Sequence, residues 1–455
     1  MRDLTQGPVP RLLVAMAMPI LGGMLFQTLY YIVDLYFVAQ LGQAAIAGVS
    51  AAGNANVAVF SLTQVLSVGV VALMSQAAGR QDRAEANHVF NQSLAIALLC
   101  AALAILSGVA LVDWYMRSLS GDGATQSAGR SFFLAFLPGL ALQFPLVAMS
   151  SALRATGVVK PTMAISILTV LLNIALAPVL IAGWGTGIPL GVFGAGLAST
   201  VAIGAGLVLM VIYFHKLEKF VYADRKLMAP QWALWRRIFV VGMPAGGEFA
   251  LMFVYFTVVY LCLRDFGPTV QAGFGVGSRV MQSIFLPALA IAFAAAPVVG
   301  QNFGARLGAR VQQTFWTTAW ISSLLMLALT AVCIGMPDAL IRVLTQDAAV
   351  VAFAADFLRV VALSFLANGI IFTCSSVFQG LGNTWPALIA SGLRMFTFAM
   401  PALWMSSQRW FTPRHLWWLS VATVAGQALI CLWLVRRELA QRLAFPANEG
   451  YQPIA

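Results

Sequence analysis

Charged residues are scarce in this sequence. They make up only 9% of the chain, whereas 61% of its residues are hydrophobic; a soluble globular domain carries about 25% charged residues. A water-soluble protein of this length needs far more charge to cover its surface, so the composition excludes a soluble fold. Mainly apolar runs such as residues 12–38 and 238–263 reach the roughly 20 residues that cross a bilayer core. The sequence therefore predicts an integral membrane protein.

Cysteine is also sparse, and no motif of a soluble enzyme is present. Neither the odd number nor the spacing of the five cysteines suggests a disulfide framework or a metal site, so we interpret them as small core residues. The sequence has no Walker A lysine motif, no His-Glu-x-x-His and no Gly-x-Ser-x-Gly. These absences argue against an ATPase and an intramembrane enzyme, and we expect no cofactor.

The apolar runs between polar or Gly/Pro breaks number twelve. Each must be a helix, because lipid offers no hydrogen-bond partner to an open sheet edge. The predicted spans are residues 12–38, 50–76, 89–111, 132–152, 162–182, 191–214, 238–262, 276–300, 314–336, 358–379, 386–406 and 416–435. We therefore predict an all-α integral membrane fold of twelve transmembrane helices.

Lysine and arginine are unevenly divided between the two sides of these spans. The side of the N-terminus holds 17 of them and the opposite side 7, and basic loops face the cytoplasm. We predict that both termini are cytoplasmic. We also predict that the protein lies in the plasma membrane, which in a bacterium is the inner membrane. The net charge of +11 does not indicate a nucleic-acid partner, because no basic stripe with interleaved aromatics is present. The first apolar run is too long for a signal-peptide core of about 7–15 residues.

The two halves of the sequence repeat each other at one constant offset, which places Pro19 on Pro244. Seven glycine or proline positions are identical between the halves, where chance predicts about 1.3. These pairs are Pro19/Pro244, Gly22/Gly247, Gly42/Gly267, Gly48/Gly273, Gly79/Gly304, Gly157/Gly382 and Pro161/Pro386. We expect two pseudo-symmetric six-helix lobes, residues 1–214 and 238–455, joined by a basic cytoplasmic linker at 215–237. Because each repeat has an even number of spans, the lobes should be related by an axis along the membrane normal. We expect a monomer.

Several motifs resemble one family. The first span with its following loop (residues 18–42), the stretches 172–178 and 189–198, and Gly-Gln-Asn-Phe-Gly-Ala at 300–305 are similar to sequences of the multidrug and toxic compound extrusion (MATE) transporters. The resemblance runs from about Met18 to the last span. It implies two six-helix lobes around a V-shaped cavity, and ion-driven efflux of amphipathic, often cationic small molecules.

Within that family the sequence resembles the DinF-type branch. The resemblance implies coupling residues in the first lobe, an aspartate in span one and an Asn-x-x-x-Asp-Pro motif in span five. Asp34 and Asn173 match this pattern, whereas Ala177 stands where the second aspartate belongs. This departure argues against sodium, which needs several oxygen ligands. We therefore expect the coupling ion to be a proton.

Four charged residues lie well inside predicted spans, where each costs roughly 2.5–3.5 kcal/mol on insertion scales. We interpret Asp34 as a protonation switch; the alternative is a carboxylate that snorkels to the outer interface. Glu248 is a second candidate for ion coupling, or else a carboxylate stabilised by the N-terminal dipole of its helix. Arg279 is a candidate for the substrate cavity, although Arg279 and Arg394 could instead hold their lobe together by bonding carbonyls or a carboxylate.

Uncharged residues complete the candidate site. Asn173 could hydrogen-bond to Asp34 or simply join two helices. Pro19 lets span one bend, or marks a plain kink. Aromatic residues of span one could line a greasy cavity that accepts varied ligands: Tyr30, Tyr31, Tyr36 and Phe37.

The sequence thus favours a secondary exporter that works by alternating access. Amphipathic cations are the compounds best suited to test this function. The alternative is a flippase for a lipid or a lipid-linked saccharide on the same scaffold. A flippase of that kind needs basic residues in its cavity to hold a pyrophosphate. The two intramembrane arginines both lie in the second half, and two carboxylates accompany them.

Overall fold

The structure, a computed structural model, describes residues 1–119, 121–218 and 220–444, without the side chains of residues 30–32, 34 and 35. These residues form helices joined by short connections, and the described part contains no strand. The helices are α1 (Val9–Ala39), α2 (Gln43–Gly79), α3 (Arg83–Leu119), α4 (Gly123–Ala155), α5 (Lys160–Ala182), α6 (Gly191–Lys216), α7 (Trp232–Leu263), α8 (Pro268–Gly304), α9 (Gly308–Gly335), α10 (Pro337–Arg342), α11 (Ala348–Val361), α12 (Phe365–Leu381), α13 (Trp385–Ser406) and α14 (Pro413–Arg442).

The described helices supply twelve segments that are long and apolar enough to span a membrane, which confirms the predicted number. Two details were not predicted. α10 has only 6 residues and does not span, and α11 and α12 form a single span through a 3₁₀ turn at Ala362–Ser364. The longest helices, of 37 residues, extend about 55 Å, well beyond a hydrocarbon core of about 30 Å. Their polar ends therefore project out of the bilayer.

The chain divides into two compact units. The N-terminal unit comprises Met1–Asp3 and Met18–Gly246, and the C-terminal unit comprises Leu4–Ala17 and the described residues from Gly247 onward. α1 and α7 therefore each contribute to both units. In α1 the change of unit occurs next to Pro19, and in α7 it follows Pro244 after two residues. Proline leaves a backbone carbonyl without its partner, so both helices can bend there.

The two units are built alike. In the N-terminal unit α4 lies against α2, α3 and α6, and α5 lies against α6. In the C-terminal unit α12 lies against α8, α9 and α14, and α13 lies against α14. Each arrangement places the fourth span of a repeat at the centre of its own helix bundle. The predicted pair of six-helix lobes is confirmed by this shared topology.

Backbone conformation repeats as well. Gly42 and Gly267, which precede α2 and α8, have φ of 99° and 88°, a conformation that favours glycine. Gln81 and Arg306, which the same offset pairs, are the positive-φ residues other than glycine among the described positions, at 57° and 60°. Equal conformations at equivalent positions mean that the repeat extends to the turns between helices.

Amide side chains of α3 hold residues 220–231, which we call the linker strap. Asn91 donates to the carbonyl of Tyr222 at 3.0 Å and accepts from the amide of Asp224 at 2.7 Å. Gln92 donates to two strap carbonyls, at 2.6 Å each, and accepts from the amide of Gln231 at 3.0 Å. Because both side chains are buried, these bonds fix the strap, and with it the start of α7, on the N-terminal unit.

The C-terminal unit holds residues 4–7, the N-terminal strap, in a similar way. The amide of Leu4 donates to Oε1 of Gln301 at 2.9 Å, and Nδ2 of Asn302 donates to the carbonyl of Leu4 at 3.2 Å. Arg310 donates from Nη2 to the carbonyl of Gly7 at 3.0 Å. Each repeat therefore begins with a strap whose backbone is hydrogen-bonded by buried amide side chains. These are Asn91 and Gln92 of the N-terminal unit for the linker strap, and Gln301 and Asn302 of the C-terminal unit for the N-terminal strap.

Candidate functional site

Close packing of α5 on α6 brings the first candidate residues together. A Cβ at Gly206 of α6 would lie 2.5 Å from Oγ1 of Thr169, and a Cβ at Gly194 would lie 2.3 Å from the carbonyl oxygen of Leu180. Only glycine leaves room for this approach, because it has no Cβ. The two helices are consequently near enough for short polar side chains to meet across their contact.

Asn173 and Ser199 are the polar pair at this contact. Both are fully buried, and Nδ2 of Asn173 donates to Oγ of Ser199 at 3.4 Å. Ser199 in turn donates to the carbonyl of Ala195 at 3.2 Å. Oδ1 of Asn173 is buried and accepts no hydrogen bond from any residue that the structure describes. A buried acceptor without a donor costs about 1–3 kcal/mol, so a donor is expected to reach it in some state of the protein.

Thr200, next to Ser199, is already satisfied. Its Oγ1 donates to the carbonyl of Ala135 at 2.6 Å and accepts from the amide of Gly139 at 3.2 Å. These bonds tie α6 to α4, and they occupy the oxygen that an ion would need. Thr200 is therefore a structural residue in this conformation.

Ala177 lies in apolar surroundings. It is fully buried in a cluster that includes Val38, Phe136 and Ile181. A carboxylate at this position would have no polar partner among the members of this cluster, so the loss of the family's second aspartate matches the packing around it.

α1 runs beside α5 within the N-terminal unit. A Cβ at Gly22 of α1 would lie 3.3 Å from Sδ of Met163 in α5, and further along the helices Val38 shares the buried cluster of Ala177. Because they are the first and fifth spans of the chain, α1 and α5 cross the membrane in the same direction and run in parallel.

This register places position 34 of α1 near Asn173. Position 34 follows Gly22 by twelve residues in α1, and Asn173 follows Met163 by ten residues in α5. At a rise of about 1.5 Å per residue, the two positions in parallel helices therefore lie within about 3 Å of the same depth. The side chain of Asp34 itself lies outside the described residues, so only its backbone position is located.

The aromatic candidates of α1 are only partly described. The side chains of Tyr30 and Tyr31 lie outside the described residues. Tyr36 is 63% exposed, and its ring meets that of Phe37 edge-on with 5.4 Å between centroids. Phe37 is half-buried and packs against the apolar cluster around Ala177. Pro19 is buried in the interior of α1.

In the C-terminal unit, Tyr255 of α7 lies between α13 and α14. Its hydroxyl hydrogen-bonds Oγ of Ser420 at 3.0 Å, and its ring meets that of Phe398 with 4.8 Å between centroids. The guanidinium of Arg394 sits over the same ring, 5.3 Å from its centroid. Sequence reasoning missed this arrangement, because no local pattern connects a tyrosine with residues of the last two spans.

Glu248 lies on α7, two turns before Tyr255. It is half-buried. No salt bridge or hydrogen bond links Glu248 to another residue within the described ranges. On the neighbouring helices, Gln427 of α14 donates from Nε2 to Oγ of Ser391 of α13 at 2.9 Å.

Arg279 is exposed on α8. Neither its guanidinium nor that of Arg394 has a carboxylate or carbonyl acceptor among the residues described. No group of three metal-ligating side chains occurs in the described part of the chain.

Comparison with known proteins identifies the family to which this architecture belongs. The MatE family model matches residues 19–179 and again residues 244–405, so its two copies start at Pro19 and Pro244, the first pair of the repeat. A multidrug export protein, MepA of Staphylococcus aureus, is 24% identical over 437 residues, which is 95% of this chain and 96% of that protein. The probable multidrug resistance protein NorM of Thermotoga maritima is 28% identical over 86% of this chain and 84% of its own length.

Solved structures agree with the fold. A MOP superfamily transporter from Pyrococcus furiosus superposes with a TM-score of 0.89 at 21% identity, covering 97% of this chain and 98% of that one. A MATE transporter in a bent conformation superposes with a TM-score of 0.90 at 20% identity, over 96% and 97% of the two chains. The family resemblance and the prediction that the protein is not an enzyme are confirmed. This chain belongs to the MatE family of multidrug and toxic compound extrusion transporters.

Proposed function

We propose that the protein is a proton-coupled exporter of amphipathic small molecules that works by alternating access, with Asp34 as its protonation switch. Family membership supports transport, and the names of MepA and NorM support multidrug export.

The observation that carries the proposal is the buried Oδ1 of Asn173, which lacks a donor among the described residues. Position 34 lies at its depth on the neighbouring helix. A protonated carboxyl group has an O–H that can donate to an amide oxygen, whereas a carboxylate can only accept. Protonation of Asp34 would therefore create a hydrogen bond to Asn173, and deprotonation would remove it.

Sodium fits these surroundings less well. A hard cation needs several oxygen ligands to replace its water, as other hard cations do. Ala177 supplies none, and the hydroxyl of Thr200 is already bonded to α4. A proton needs only one titratable group with a single acceptor nearby, and Asp34 with Asn173 provides both.

Pro19 gives this switch a mechanical consequence. Because proline leaves a backbone carbonyl of α1 without its partner, a bend at Pro19 would move the part of α1 that carries Asp34 relative to α5. Formation or loss of one hydrogen bond at Asn173 would bias that bend, and opening of the substrate site would follow it.

The experiment that tests the proposal is reconstitution in proteoliposomes. Movement of a cationic dye is measured under a pH gradient and, separately, under a sodium gradient at fixed pH. We expect the pH gradient alone to drive transport. Transport by the sodium gradient alone would refute proton coupling and leave export standing. No transport under either gradient would refute export.

Orientation is part of the same proposal. The excess of basic residues on one side supports an orientation with both termini in the cytoplasm of a bacterial cell and the protein in the inner membrane. We predict that a reporter fused after Arg437, in the last turns of α14, is active in its cytoplasmic form. A periplasmic signal from alkaline phosphatase at the same position would reverse the assignment.

A further inference from the structure

Arg394 lies near the middle of a helix that is long and apolar enough to span the membrane. It is the tenth of the 22 residues of α13, so its Cα is about 14 Å from one end of the helix and about 18 Å from the other. An arginine can reach water from the edge of the hydrocarbon core, but not from its centre. A cation at this depth needs a partner inside the protein or from a ligand.

The position of Arg394 is fixed by Tyr255. The guanidinium lies 5.3 Å from the centroid of the tyrosine ring, a cation–π contact. The ring is itself held by the bond to Ser420 at 3.0 Å and by the ring of Phe398. The aromatic contact orients the guanidinium, but it satisfies none of its five N–H donors.

No described residue supplies an anion to Arg394. Glu248 is a carboxylate on α7, the helix that also carries Tyr255, and no ion pair joins Glu248 to Arg394 within the described chain. Glu248 precedes Tyr255 by seven residues on α7, which is about 10 Å along the helix. The guanidinium therefore keeps its donors available.

A second unpaired group lies on α14, which packs against the helix of Arg394. Gln427 is 4% exposed, and its Oε1 is buried without a donor in the described residues. Its Nε2 bonds Ser391, which lies about one helical turn before Arg394 on α13. The two facing helices thus carry a cationic donor and a neutral acceptor, both without hydrogen-bond partners among the described residues.

We propose that Arg394 and Gln427 form a subsite for the anionic group of an amphipathic substrate, a carboxylate or a phosphate that also carries an N–H or O–H donor. The planar guanidinium would bind the two oxygens of that group, and Gln427 would accept from the adjacent donor. The proposal rests on the exporter function and extends it, since it adds anionic and zwitterionic molecules to the cationic ones expected from the family resemblance.

Binding of two dyes to the purified protein tests the subsite. One dye is a rhodamine with a free carboxylate, and the other is its methyl ester, which has the same rings without the negative charge. We expect Arg394→Gln to weaken binding of the carboxylate dye roughly 10- to 100-fold, the effect of losing a charge-assisted hydrogen bond. Binding of the ester should change less than about 2-fold, because the ester makes no ion pair with Arg394. Fluorescence anisotropy measures both.

The controls separate a binding role from a structural one. Arg409→Gln removes an exposed arginine in the connection between α13 and α14 of the same unit, and it should leave both dyes bound as in the wild type. Arg394→Lys keeps the charge but not the forked geometry, and it should recover part of the carboxylate binding. Equal loss of both dyes in Arg394→Gln and Arg394→Lys, or no loss of the carboxylate dye, would overturn the subsite.

Two further arms identify the ligand and isolate the proposal. Competition with dodecanoate and with dodecyl phosphate shows whether a carboxylate or a lipid-like phosphate is the preferred group; failure of both to displace the carboxylate dye would overturn the subsite. Transport of the dyes in proteoliposomes is measured separately. If the wild type binds the carboxylate dye through Arg394 but moves neither dye, the export function fails and the subsite does not.

Discussion

The two units of this transporter share a backbone and differ in the chemistry of their interiors. In the N-terminal unit the polar pair between α5 and α6 is neutral, Asn173 with Ser199. In the C-terminal unit the corresponding helices carry Arg394, with Glu248 on the neighbouring α7. The turns of the two units nevertheless match in conformation, as the positive φ values of Gly42 and Gly267 show. The two units therefore share their backbone geometry but not the polar side chains of their interiors.

The difference is visible position by position. The offset of the repeat places most of these polar residues of one unit on an apolar or small residue of the other. The pairs are Asp34/Val259, Asn173/Phe398, Ser199/Val424, Gly23/Glu248, Thr169/Arg394 and Ala195/Ser420. The comparison supports a division of the two proposed roles between the units: proton coupling in the N-terminal unit and recognition of an anionic group in the C-terminal unit. Variants at Asp34, and at the equivalent positions Asn173 and Phe398, test this division.

Removing the titratable group should abolish transport. We predict that Asp34→Asn lowers proton-driven dye efflux at least about 100-fold, because an amide side chain cannot release a proton. The variant should still insert and fold, since it places no charge in the membrane. Efflux from cells that lack their own pumps measures the effect, and membrane amounts are compared by immunoblot.

A matched control for Asp34→Asn is Asp113→Asn. Asp113 is exposed and pairs with Arg130 at 2.6 Å, at the outer end of the N-terminal unit. Surface ion pairs contribute little, so this variant should transport like the wild type. Wild-type efflux by Asp34→Asn would remove that residue from the mechanism.

Removing the acceptor should have a smaller effect that differs between the units. We predict that Asn173→Ala lowers proton-driven efflux roughly 10-fold, because protonated Asp34 loses the hydrogen bond that favours one state. Phe398→Ala, at the equivalent position, should instead destabilise its unit by about 3–5 kcal/mol through loss of a buried ring. A thermal shift together with the efflux assay distinguishes the two. Similar losses of stability in both variants would contradict the division.

Part of this molecule could be predicted from its sequence. The twelve spans follow from apolar runs that must be helical in lipid, and the repeat follows from Gly and Pro pairs that impose equal backbone geometry. The break between α11 and α12 was not predicted, because both segments are apolar and no Gly or Pro marks Ala362–Ser364. Hydropathy fixes which segments cross the membrane, and not how each segment is interrupted.

The site was less accessible to sequence reasoning. Asn173 was found because an amide on an apolar helix is unusual and matches a family motif, whereas its partner Ser199 was identified only by the structure. The contacts of Tyr255 and of Gln92 could not be predicted, because each joins residues far apart in the chain through side chains common in any membrane protein. For Arg279 and Arg394 the sequence allowed bonds to carbonyls or a carboxylate, and the described residues provide neither.

The straps allow a comparison of stability. We predict that Gln92→Leu lowers the free energy of unfolding by about 1–3 kcal/mol, because backbone groups of the linker strap lose a buried partner. Gln301→Leu should lower it as well, because the amide of Leu4 in the N-terminal strap loses its bond to Oε1 of Gln301. The midpoints of thermal unfolding in detergent measure both. A larger loss for Gln301→Leu would mean that the N-terminal strap is the more important of the two.

The smallest expected effect concerns two helix caps that the units share. Asp122 caps α4 by accepting from the amides of Ala124 and Thr125, and Asp347, its equivalent in the second repeat, caps α11 in the same way. Asp122→Ala and Asp347→Ala should each lower the midpoint of thermal unfolding by about 2 °C at neutral pH. A clear inequality would show that the units differ at their outer ends as well.

The cap at Asp122 should also respond to pH in a defined direction. The hydrogen bond from the Thr125 side chain, followed by those from the backbone amides of Thr125 and Ala124, holds the pKa of the Asp122 carboxyl below its ordinary value near 4. A pKa that is lower in the folded state means that the stabilisation is fully present above the unfolded pKa and is lost as pH falls through the folded one. The difference between the wild type and Asp122→Ala should therefore be constant from pH 8 to about pH 5 and shrink below about pH 4. A difference that grew on acidification would show that the carboxylate does not act as this cap.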